Sequence, residues 1–387
     1  MIRFLTAGES HGPGLMSVIE GFPANVSIDL EAVNQELFRR QQGYGRGGRM
    51  RIEQDSVNVI SGIRFGKTLG SPIGFELQNK DWKNWQEVMD VQTAHPGREI
   101  SRPRPGHADL SGYYKYNFDD MRNVLERSSA RETAMRVAVG AFVKQFLLAL
   151  DVHIHSHVLQ IGGVKTSAES REKALLMQDL NTQADASPVR CVDAKAEKQM
   201  IEFIDSAKSR GDTAGGVVQI VIKNLIPGLG SYVHWDRKLD GQLAGALMSV
   251  QAVKGVEIGI GFSGAERPGS EFHDEIFFKN GKTAHKTNRA GGIEGGMSNG
   301  EDIVMQVMMK PIPTLMKPLQ SVDMKTKEMF KAHKERSDIT AVPALGVICE
   351  AVAAPVIANA LLEKFGSDSL EEMKHAFQNY KYKIRKK

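Results

Sequence analysis

The chain has 387 residues, 41% of them hydrophobic and 25% charged, which is typical of a globular protein with one large or two fused domains. Its 50 basic and 46 acidic residues give a net charge of only +4, whereas a nucleic-acid-binding surface usually shows a broad basic face. The basic residues are instead concentrated in short segments, and this distribution favours a site for a small anion.

The sequence shows no pattern typical of a membrane, secreted or metal-binding protein. The apolar stretch 137–150 is interrupted by Lys144 and Gln145, and the N-terminal residues become polar too early for a secretory signal. Two cysteines, Cys191 and Cys349, cannot by themselves form a disulfide framework or a closed zinc site. We therefore expect a cytoplasmic protein with no membrane span and no bound metal.

The predicted elements alternate between helix and strand along the chain. A helix over 27–40 is predicted to begin at a cap, Ser27 or Asp29, and to bury one apolar face formed by Leu30, Val33, Leu37 and Phe38. Runs rich in β-branched residues predict strands at 57–63, 216–226 and 255–262, and long apolar helices are predicted at 132–151 and 347–365. We predict a mixed α/β fold with one domain, 1–387, and a polar surface excursion at about 165–200.

A stretch rich in arginine and glycine follows the first predicted helix. Residues 39–51 contain Arg39, Arg40, Arg46, Arg49 and Arg51 but no carboxylate, so an anion is needed to hold these charges together. Residues 43–48 match G-x-G-x-x-G, yet a dinucleotide fingerprint follows a strand and opens a helix, which is the reverse of the order here. An RNA-binding segment remains the alternative to a phosphate or carboxylate clamp.

Further candidate sites lie in loops and at predicted helix ends. His11 lies among glycines after a strand-like opening, and His107 follows two Arg-Pro pairs that stiffen the chain. Ser129 and Glu132 have capping-box spacing, and Arg127 and Arg131 flank Ser129 to make a potential anion site.

Two other patterns complete the survey. Five glycines in 291–300 and the proline-fixed turn 310–314 allow close approach to a flat ring and a phosphate. Three alternate histidines, His153, His155 and His157, share one face of a predicted strand, which we interpret as a solvated face because no acidic or thiol ligand lies within the stretch.

The motifs together resemble the chorismate synthase family. They are, in chain order, GESHG, RRQQGYGRGGRM, RPGHADL, RSSARET, GGIEGGMSNG, KPIPTLMKPLQSVD and ERSD, between residue 8 and residue 338. The resemblance implies a β-α-β sandwich, a homotetramer and reduced FMN as cofactor. It also implies an anti-1,4-elimination of phosphate from 5-enolpyruvylshikimate-3-phosphate, which gives chorismate, in aromatic amino acid biosynthesis.

The resemblance also implies a role for individual residues. His11 would protonate the departing phosphate, His107 would stabilise the reduced flavin, Asp338 would accept the proton relayed through the flavin, and Ser10 and Ser129 would orient these groups. The substrate would be held by Arg40, Arg46, Arg49, Arg131 and Arg336. The flavin would be held by Arg127, Ser128, Ser129, Gln251, Ala252, Gly295, Lys310, Pro311, Ile312, Pro313, Thr314 and Arg336.

The source of the reduced flavin stays open in the sequence. Gln251 stands where the family pattern has asparagine. Because no dinucleotide fingerprint occurs in the correct context, we expect an external flavin reductase rather than NADPH-dependent reduction by the chain itself. No nucleic acid or membrane is expected as a partner.

Overall fold

The computed structural model describes residues 1–47, 54–95, 97, 99–279, 282–332, 337–366 and 368–386. The helices, numbered in chain order, are α1 (Leu30–Gln41), α2 (Asp109–Tyr116), α3 (Arg122–Ser128), α4 (Thr133–Leu148), α5 (Ala168–Leu176), α6 (Leu180–Asp185), α7 (Ala194–Ser209), α8 (Leu239–Met248), α9 (Gly269–Phe272), α10 (Val342–Phe365) and α11 (Leu370–Arg385). Short 3₁₀ turns occur at Lys80–Asn84, Ala130–Glu132, Trp235–Arg237 and Gly261–Glu266.

The longer strands form two antiparallel sheets. The first sheet has the order β1 (Arg3–Ala7), β2 (Gly14–Glu20), β6 (Ile73–Gln78) and β3 (Asn58–Val59). The second has the order β10 (Val253–Ile258), β15 (Ile303–Met309), β9 (Gly216–Lys223), β7 (His153–Ile161) and β8 (Val164–Lys165). The remaining strands pair as ribbons: β4 (Ile63–Arg64) with β5 (Lys67–Thr68), β11 (Ile276–Lys279) with β12 (Lys282–His285), β13 (Ile293–Glu294) with β14 (Met297–Ser298), and β16 (Gln320–Val322) with β17 (Met329–Lys331).

Long apolar helices lie between the two sheets. α4 packs on β2 and on α10, and α10 packs on β7 and β9. Phe75 of the first sheet meets Phe142 of α4 with ring centroids 5.0 Å apart. A Cβ on Gly140 would lie only 2.4 Å from the Cα of Ala351, so this glycine allows the close approach of α4 and α10. The arrangement confirms the predicted mixed α/β sandwich of sheet, helices and sheet.

The helix α10 corrects the expectation that no segment is apolar enough to span a membrane. Its 24 residues meet that test by length and composition, with Glu350 among them. However, 89% of its most apolar window is buried inside the protein, as expected for a central core helix. The apolar length therefore reflects burial between the two sheets.

Two predictions about buried faces were wrong. In α1 the cap is Asp29, whose side chain accepts the N–H of Glu31 at 2.9 Å. Of the predicted buried face, Val33 and Leu37 are fully buried, but Leu30 is 38% exposed and Phe38 is 52% exposed. In β7, His155 and His157 are buried rather than solvated, because β7 lies between β9 and β8 and is covered by α6 and α10. Burial lowers the pKa of each of these two imidazoles to about 4, so both are neutral.

The polar segment 165–200 contains α5, α6 and the start of α7. It also holds buried apolar side chains, among them Leu180 and Val189, that pack on the protein interior. The single-domain division and the surface character of this segment stay predictions. Both cysteines are buried and free.

Candidate active site

The loop between β1 and β2 carries His11 and is held from below by α3. The Ser10 N–H donates to the Glu126 carbonyl at 3.0 Å, and the Asn79 amide donates to the Gly12 carbonyl at 2.8 Å. Asn79 follows directly after β6, the neighbour of β2 in the sheet. Asn79 after β6 and the carbonyl of Glu126 on α3 therefore fix the backbone on both sides of His11.

The His11 side chain contacts a buried carboxylate and an indole. Its Nδ1 lies 3.0 Å from each carboxylate oxygen of Glu126, and its ring stacks on Trp85 with centroids 3.8 Å apart. Arg122 lies 3.2 Å from the Glu126 carboxylate and 5.3 Å from the Trp85 ring centroid. The burial of Glu126 acts to raise its pKa, but the hydrogen bonds from His11 and the charges of His11 and Arg122 together outweigh this and hold the pKa below its usual value.

Ser10 and Ser129 connect His11 to the arginines. The Ser129 hydroxyl donates to the Ser10 hydroxyl at 3.1 Å and accepts the N–H of Arg131 at 3.3 Å. Ser129 therefore caps the 3₁₀ turn rather than α4, which begins at Thr133. The predicted capping box was wrong because the Glu132 carboxylate is bonded by Thr6, Arg136 and Gln251 instead.

Two substrate-binding candidates, Arg40 and Arg131, share the carboxylate of Asp55. Nη1 of Arg131 lies 2.7 Å from Asp55 Oδ2, and Nη1 of Arg40 lies 3.8 Å from the same oxygen. Arg131 also donates to the Asn79 side chain at 2.9 Å, and Arg40 donates to the Thr133 hydroxyl at 3.0 Å. Both guanidinium groups are thus almost completely buried and fixed at the N-terminal end of α4.

Arg40 is the less completely neutralised of the two. Within the described ranges, its Nη1 and the Oδ1 of Asp55 are buried and make no hydrogen bond. Burial lowers the pKa of Arg40 to about 9, and the charge of Asp55 offsets only part of that effect. A buried guanidinium with an unused donor would gain strongly from a bound anion.

A third candidate arginine, Arg46, lies beside Asp338 after the end of α1. Its Nε is 3.2 Å from Asp338 Oδ2, and the Gly47 N–H donates to Asp338 Oδ1 at 2.5 Å. Charges of both Arg46 and Asp338 act on Arg40, so these groups lie near one another. The predictions for Arg49 and Arg336 fall on residues outside the described ranges.

His107 lies in a second cluster of charged residues, together with Arg104, Asp109, Lys310 and Thr314. Its Nδ1 lies 2.5 Å from Asp109 Oδ1, and the other Asp109 oxygen accepts from Nε of Arg104 at 2.8 Å. The burial of Asp109 acts to raise its pKa, but bonds from His107 and Arg104 hold the pKa well below the usual value.

The turn that follows β15 closes over the His107 loop. Arg104 donates to the Thr314 hydroxyl at 3.3 Å, and the Lys310 ammonium donates to the Gly106 carbonyl. The Lys310 N–H also donates to the Ala252 carbonyl at 2.9 Å. The structure thus brings the ends of the predicted segment 310–314 next to His107, with Pro311, Ile312 and Pro313 between them.

The other predicted flavin contacts are distributed over several elements. Gln251 donates to Glu132 at 3.1 Å, while its Oε1 is buried and has no hydrogen-bond partner in the part of the chain that the structure describes. Ala252 has a φ of 68°, and Gly295 forms the turn between β13 and β14. Of the last two candidates, Arg127 donates to Thr6, and the Ser128 hydroxyl lies 3.5 Å from the Leu125 carbonyl.

The sequence interpretation missed Asp55, Asn79, Trp85, Arg104 and Glu126. Arg104 and Glu126 lie in or beside motifs that were identified, RPGHADL and RSSARET, so their position was a usable signal. Asp55 lies five residues after the motif RRQQGYGRGGRM but outside it, and Asn79 and Trp85 are far from any motif in sequence, so these three reach the site through the fold of the first sheet and its following turn.

Comparison with known proteins identifies the family. The sequence profile of the family described as chorismate synthase matches residues 2–362. Chorismate synthase of Alkaliphilus metalliredigens is 56% identical over 98% of this chain and 99% of its own, and that of Enterococcus faecalis is 53% identical over 98% of each. A crystal structure of chorismate synthase superimposes with a TM-score of 0.81 at 41% identity, covering 99% of this chain and 98% of the other. These matches give no support to the RNA-binding alternative, and the chain belongs to the chorismate synthase family, a family of lyases in aromatic amino acid biosynthesis.

Proposed function

We propose that the chain eliminates phosphate from 5-enolpyruvylshikimate-3-phosphate in the 1,4 sense with anti geometry, giving chorismate, and that it does so with reduced FMN. The observation that carries the proposal is the convergence of Arg40, Arg46 and Arg131, with a buried Nη1 on Arg40 that finds no acceptor among the described residues. A substrate with two carboxylates and a phosphate supplies the acceptors that such a cluster needs.

The arginines would act as fixed forks for the substrate anions. Arg131 is locked by Asp55 and Asn79, and Arg40 by Thr133, so little side-chain entropy remains to be lost when an anion binds. Asp55 Oδ1, which has no hydrogen-bond partner among the described residues, can accept from a substrate hydroxyl. Arg49 and Arg336 would add further positive charge, as the family resemblance implies.

The proton transfers are assigned to three residues that the fold holds in defined positions. His11, bonded through Nδ1 to Glu126, would protonate the departing phosphate. Asp338 would accept the proton lost from the substrate, because its carboxylate is fixed by the Gly47 N–H and by Arg46. Ser10 and Ser129 would orient His11. His107 would donate a proton to the cofactor or place a positive charge beside it.

Several of the predicted contacts fit a bound flavin. The buried Oε1 of Gln251, which has no hydrogen-bond partner among the described residues, is an acceptor for a hydroxyl or N–H group, and Lys310 and Thr314 are suited to a phosphate. At Gly295, a Cβ would meet no heavy atom within 4 Å among the described residues, so the backbone leaves room for a flat ring. When bound, reduced FMN supplies electron density as the allylic phosphate leaves and recovers it at the end of the reaction.

Other parts of the proposal concern the assembly and its surroundings. We propose a cytoplasmic homotetramer supplied with reduced flavin by an external reductase, with NADPH used only if the chain reduces its own flavin. Exposed apolar side chains support association between copies, among them Leu5 (80% exposed), Met16 (50%) and Val18 (41%) on the outer face of the first sheet.

The test is a turnover assay under strict anaerobiosis with 5-enolpyruvylshikimate-3-phosphate. Photoreduced FMN should give chorismate and phosphate in equal amounts, oxidised FMN should give neither, and NADPH with oxidised FMN should give neither in the absence of a reductase. Release of phosphate without chorismate, or turnover independent of flavin reduction, would contradict the proposed reaction. Turnover with NADPH and FMN alone would contradict only the need for an external reductase.

A further inference from the structure

We propose that Glu126 is a positioning residue for His11: it holds the imidazole in the tautomer with the proton on Nδ1, so that Nε2 is the nitrogen that exchanges a proton with the substrate. This inference rests on the acid role given to His11 in the proposed function. No motif or family role above assigns a function to Glu126.

The contact between the two side chains is extensive and well protected from solvent. Both Glu126 oxygens lie 3.0 Å from His11 Nδ1, and Oε2 also accepts the backbone N–H of His11 at 2.9 Å. Glu126 is 3% exposed and belongs to α3, whereas His11 lies in the loop after β1. The Glu126 carboxylate therefore fixes both the backbone and the ring of His11. It also joins α3 to the loop after β1.

Two further groups restrict the pair. The indole of Trp85 covers one face of the imidazole at an interplanar angle of 26°, which prevents rotation of the ring about its Cβ–Cγ bond without loss of stacking. Arg122 donates to Glu126 Oε1 at 3.2 Å, which holds the carboxylate in its orientation and keeps it ionised. The imidazole can therefore not leave the carboxylate easily.

The chemical consequence follows from what a carboxylate can accept. An ionised carboxylate is an acceptor only, so the nitrogen facing it must carry a proton, and the remaining proton of an imidazolium lies on Nε2. Glu126 thus prepares His11 without contact with the substrate.

Replacement by glutamine separates this role from simple packing. Three donors face the two Glu126 oxygens: the His11 N–H, the His11 Nδ1–H and Arg122. A glutamine offers one oxygen and one NH₂ group, so whichever way the amide lies, its NH₂ meets a donor and also faces Nδ1. Glu126→Gln should therefore weaken the preference for the tautomer with the proton on Nδ1, at almost unchanged volume, because one of the two atoms that face Nδ1 becomes a donor.

The experiment measures tautomers and kinetics in the full-length protein. In protein labelled with ¹⁵N-histidine, magic-angle-spinning NMR should show the Nδ1–H form of His11 in the unmodified chain and a shift towards Nε2–H in Glu126→Gln. Turnover should fall by about a hundredfold or more, within the roughly 10²–10⁴-fold that general acid catalysis contributes. KM for 5-enolpyruvylshikimate-3-phosphate should stay within about twofold, because Arg40, Arg46 and Arg131 are untouched.

Two other variants serve as controls. Asp109→Asn should change the NMR signals of His107 and leave the NMR signals of His11 unchanged, because Asp109 contacts His107 and not His11. Glu126→Asp keeps the carboxylate and should retain the Nδ1–H form with a rate between those of the unmodified chain and Glu126→Gln. It also provides the test should Glu126→Gln fail to fold.

The outcomes distinguish this inference from the proposed function. An unchanged His11 tautomer in Glu126→Gln, or an unchanged turnover number in a folded variant, would overturn the positioning role. A normal rate in His11→Ala would instead refute the acid role on which the inference rests.

Discussion

The replacement Arg40→Lys tests the anion clamp most directly, because it keeps the positive charge and removes the fork. In the structure the guanidinium uses Nε for the Thr133 hydroxyl at 3.0 Å and Nη2 for the Ala130 carbonyl at 3.2 Å. Nη1 lies 3.8 Å from Asp55 Oδ2 and makes no hydrogen bond among the described residues. A lysine ammonium at this position cannot make both bonds and also present a donor to an anion. We expect the variant to bind substrate weakly.

The expected size of the effect follows from the contact that is lost. A hydrogen bond to a charged group contributes roughly 1.5–3 kcal/mol, and leaving the anion unmatched in a buried site costs a similar amount. At about 1.4 kcal/mol for each factor of ten, Kd should rise about 10- to 150-fold. Turnover at saturating substrate should fall much less than Kd rises, because the hydrogen bonds of Arg40 go to Thr133 and Ala130 and not to a group assigned to proton transfer.

The neighbouring residue Arg39 provides a matched control. It is buried on the same helix, but it bonds Glu350 at 2.9 and 3.1 Å and Asp185 at 2.6 Å, on the side away from the clamp. Burial acts to lower the pKa of Arg39, but the charges of Glu350 and Glu36 outweigh burial, and the pKa of Arg39 is raised. The pKa of Arg40, by contrast, is lowered. Arg39→Lys should therefore lower stability by about 1.5–3 kcal/mol for each lost bond to a carboxylate and leave substrate affinity unchanged.

The assay for both variants is a calorimetric titration with 5-enolpyruvylshikimate-3-phosphate, paired with denaturant unfolding. Substrate affinity should fall only in Arg40→Lys, whereas the larger loss of unfolding free energy should occur in Arg39→Lys. The assignment of Arg40 to anion binding would be refuted if Arg40→Lys bound substrate as tightly as the unmodified chain. Equal losses of affinity in the two variants would also refute this assignment, because a general disturbance of α1 would then explain both.

The other predictions concern proton transfer and thiol reactivity. His11→Ala and His107→Ala should each slow turnover by about two to four orders of magnitude with an unchanged circular dichroism spectrum, and a normal rate in either would remove that residue from the mechanism. Asp338→Asn should still bind FMN and substrate but turn over far more slowly with photoreduced FMN at saturating substrate, and recovery of a normal rate there would leave Asp338 only an orienting role. Burial raises the pKa of Cys191 to about 11 and raises that of Cys349 as well, so neither thiol should react with a disulfide reagent at neutral pH before unfolding; labelling of either in the native protein would contradict the structure.

The fold could be predicted from the sequence where the periodicity of a segment matched its burial. α4 and α10 are apolar on nearly all sides, and the structure places both between the sheets. At Phe38 and the histidines of β7, the periodicity of the segment predicted the wrong exposure of the side chains. Periodicity locates the face of an element, whereas what covers that face depends on residues far away in sequence, here on α6 and α10 for β7.

The candidate site could be predicted as a set of motifs but not as a set of contacts. Glycine, arginine and histidine in short motifs indicated His11, Arg40, Arg131 and His107. Their partners Asp55 and Asn79 are single polar residues without a pattern of their own, and they reach Arg131 only because β6 and the segment before β3 run beside the N-terminal end of α4. Such pairing is determined by sheet order, which a single sequence does not display.

The pairing of charges explains how this site can be stable before a substrate binds and still favour an anion. Three clustered guanidinium groups would repel one another in a buried site, and each uncompensated charge would cost several kcal/mol. Asp55 satisfies Arg131 at 2.7 Å but lies 3.8 Å from Arg40, and Asp338 is close to Arg46 instead. The compensation is therefore uneven, and the residual charge is concentrated on Arg40, where burial lowers the pKa to about 9. A substrate anion bound there supplies the charge and the acceptor that Arg40 lacks and leaves the Asp55–Arg131 pair intact, so affinity is gained without breaking the contacts that hold α4 to the first sheet.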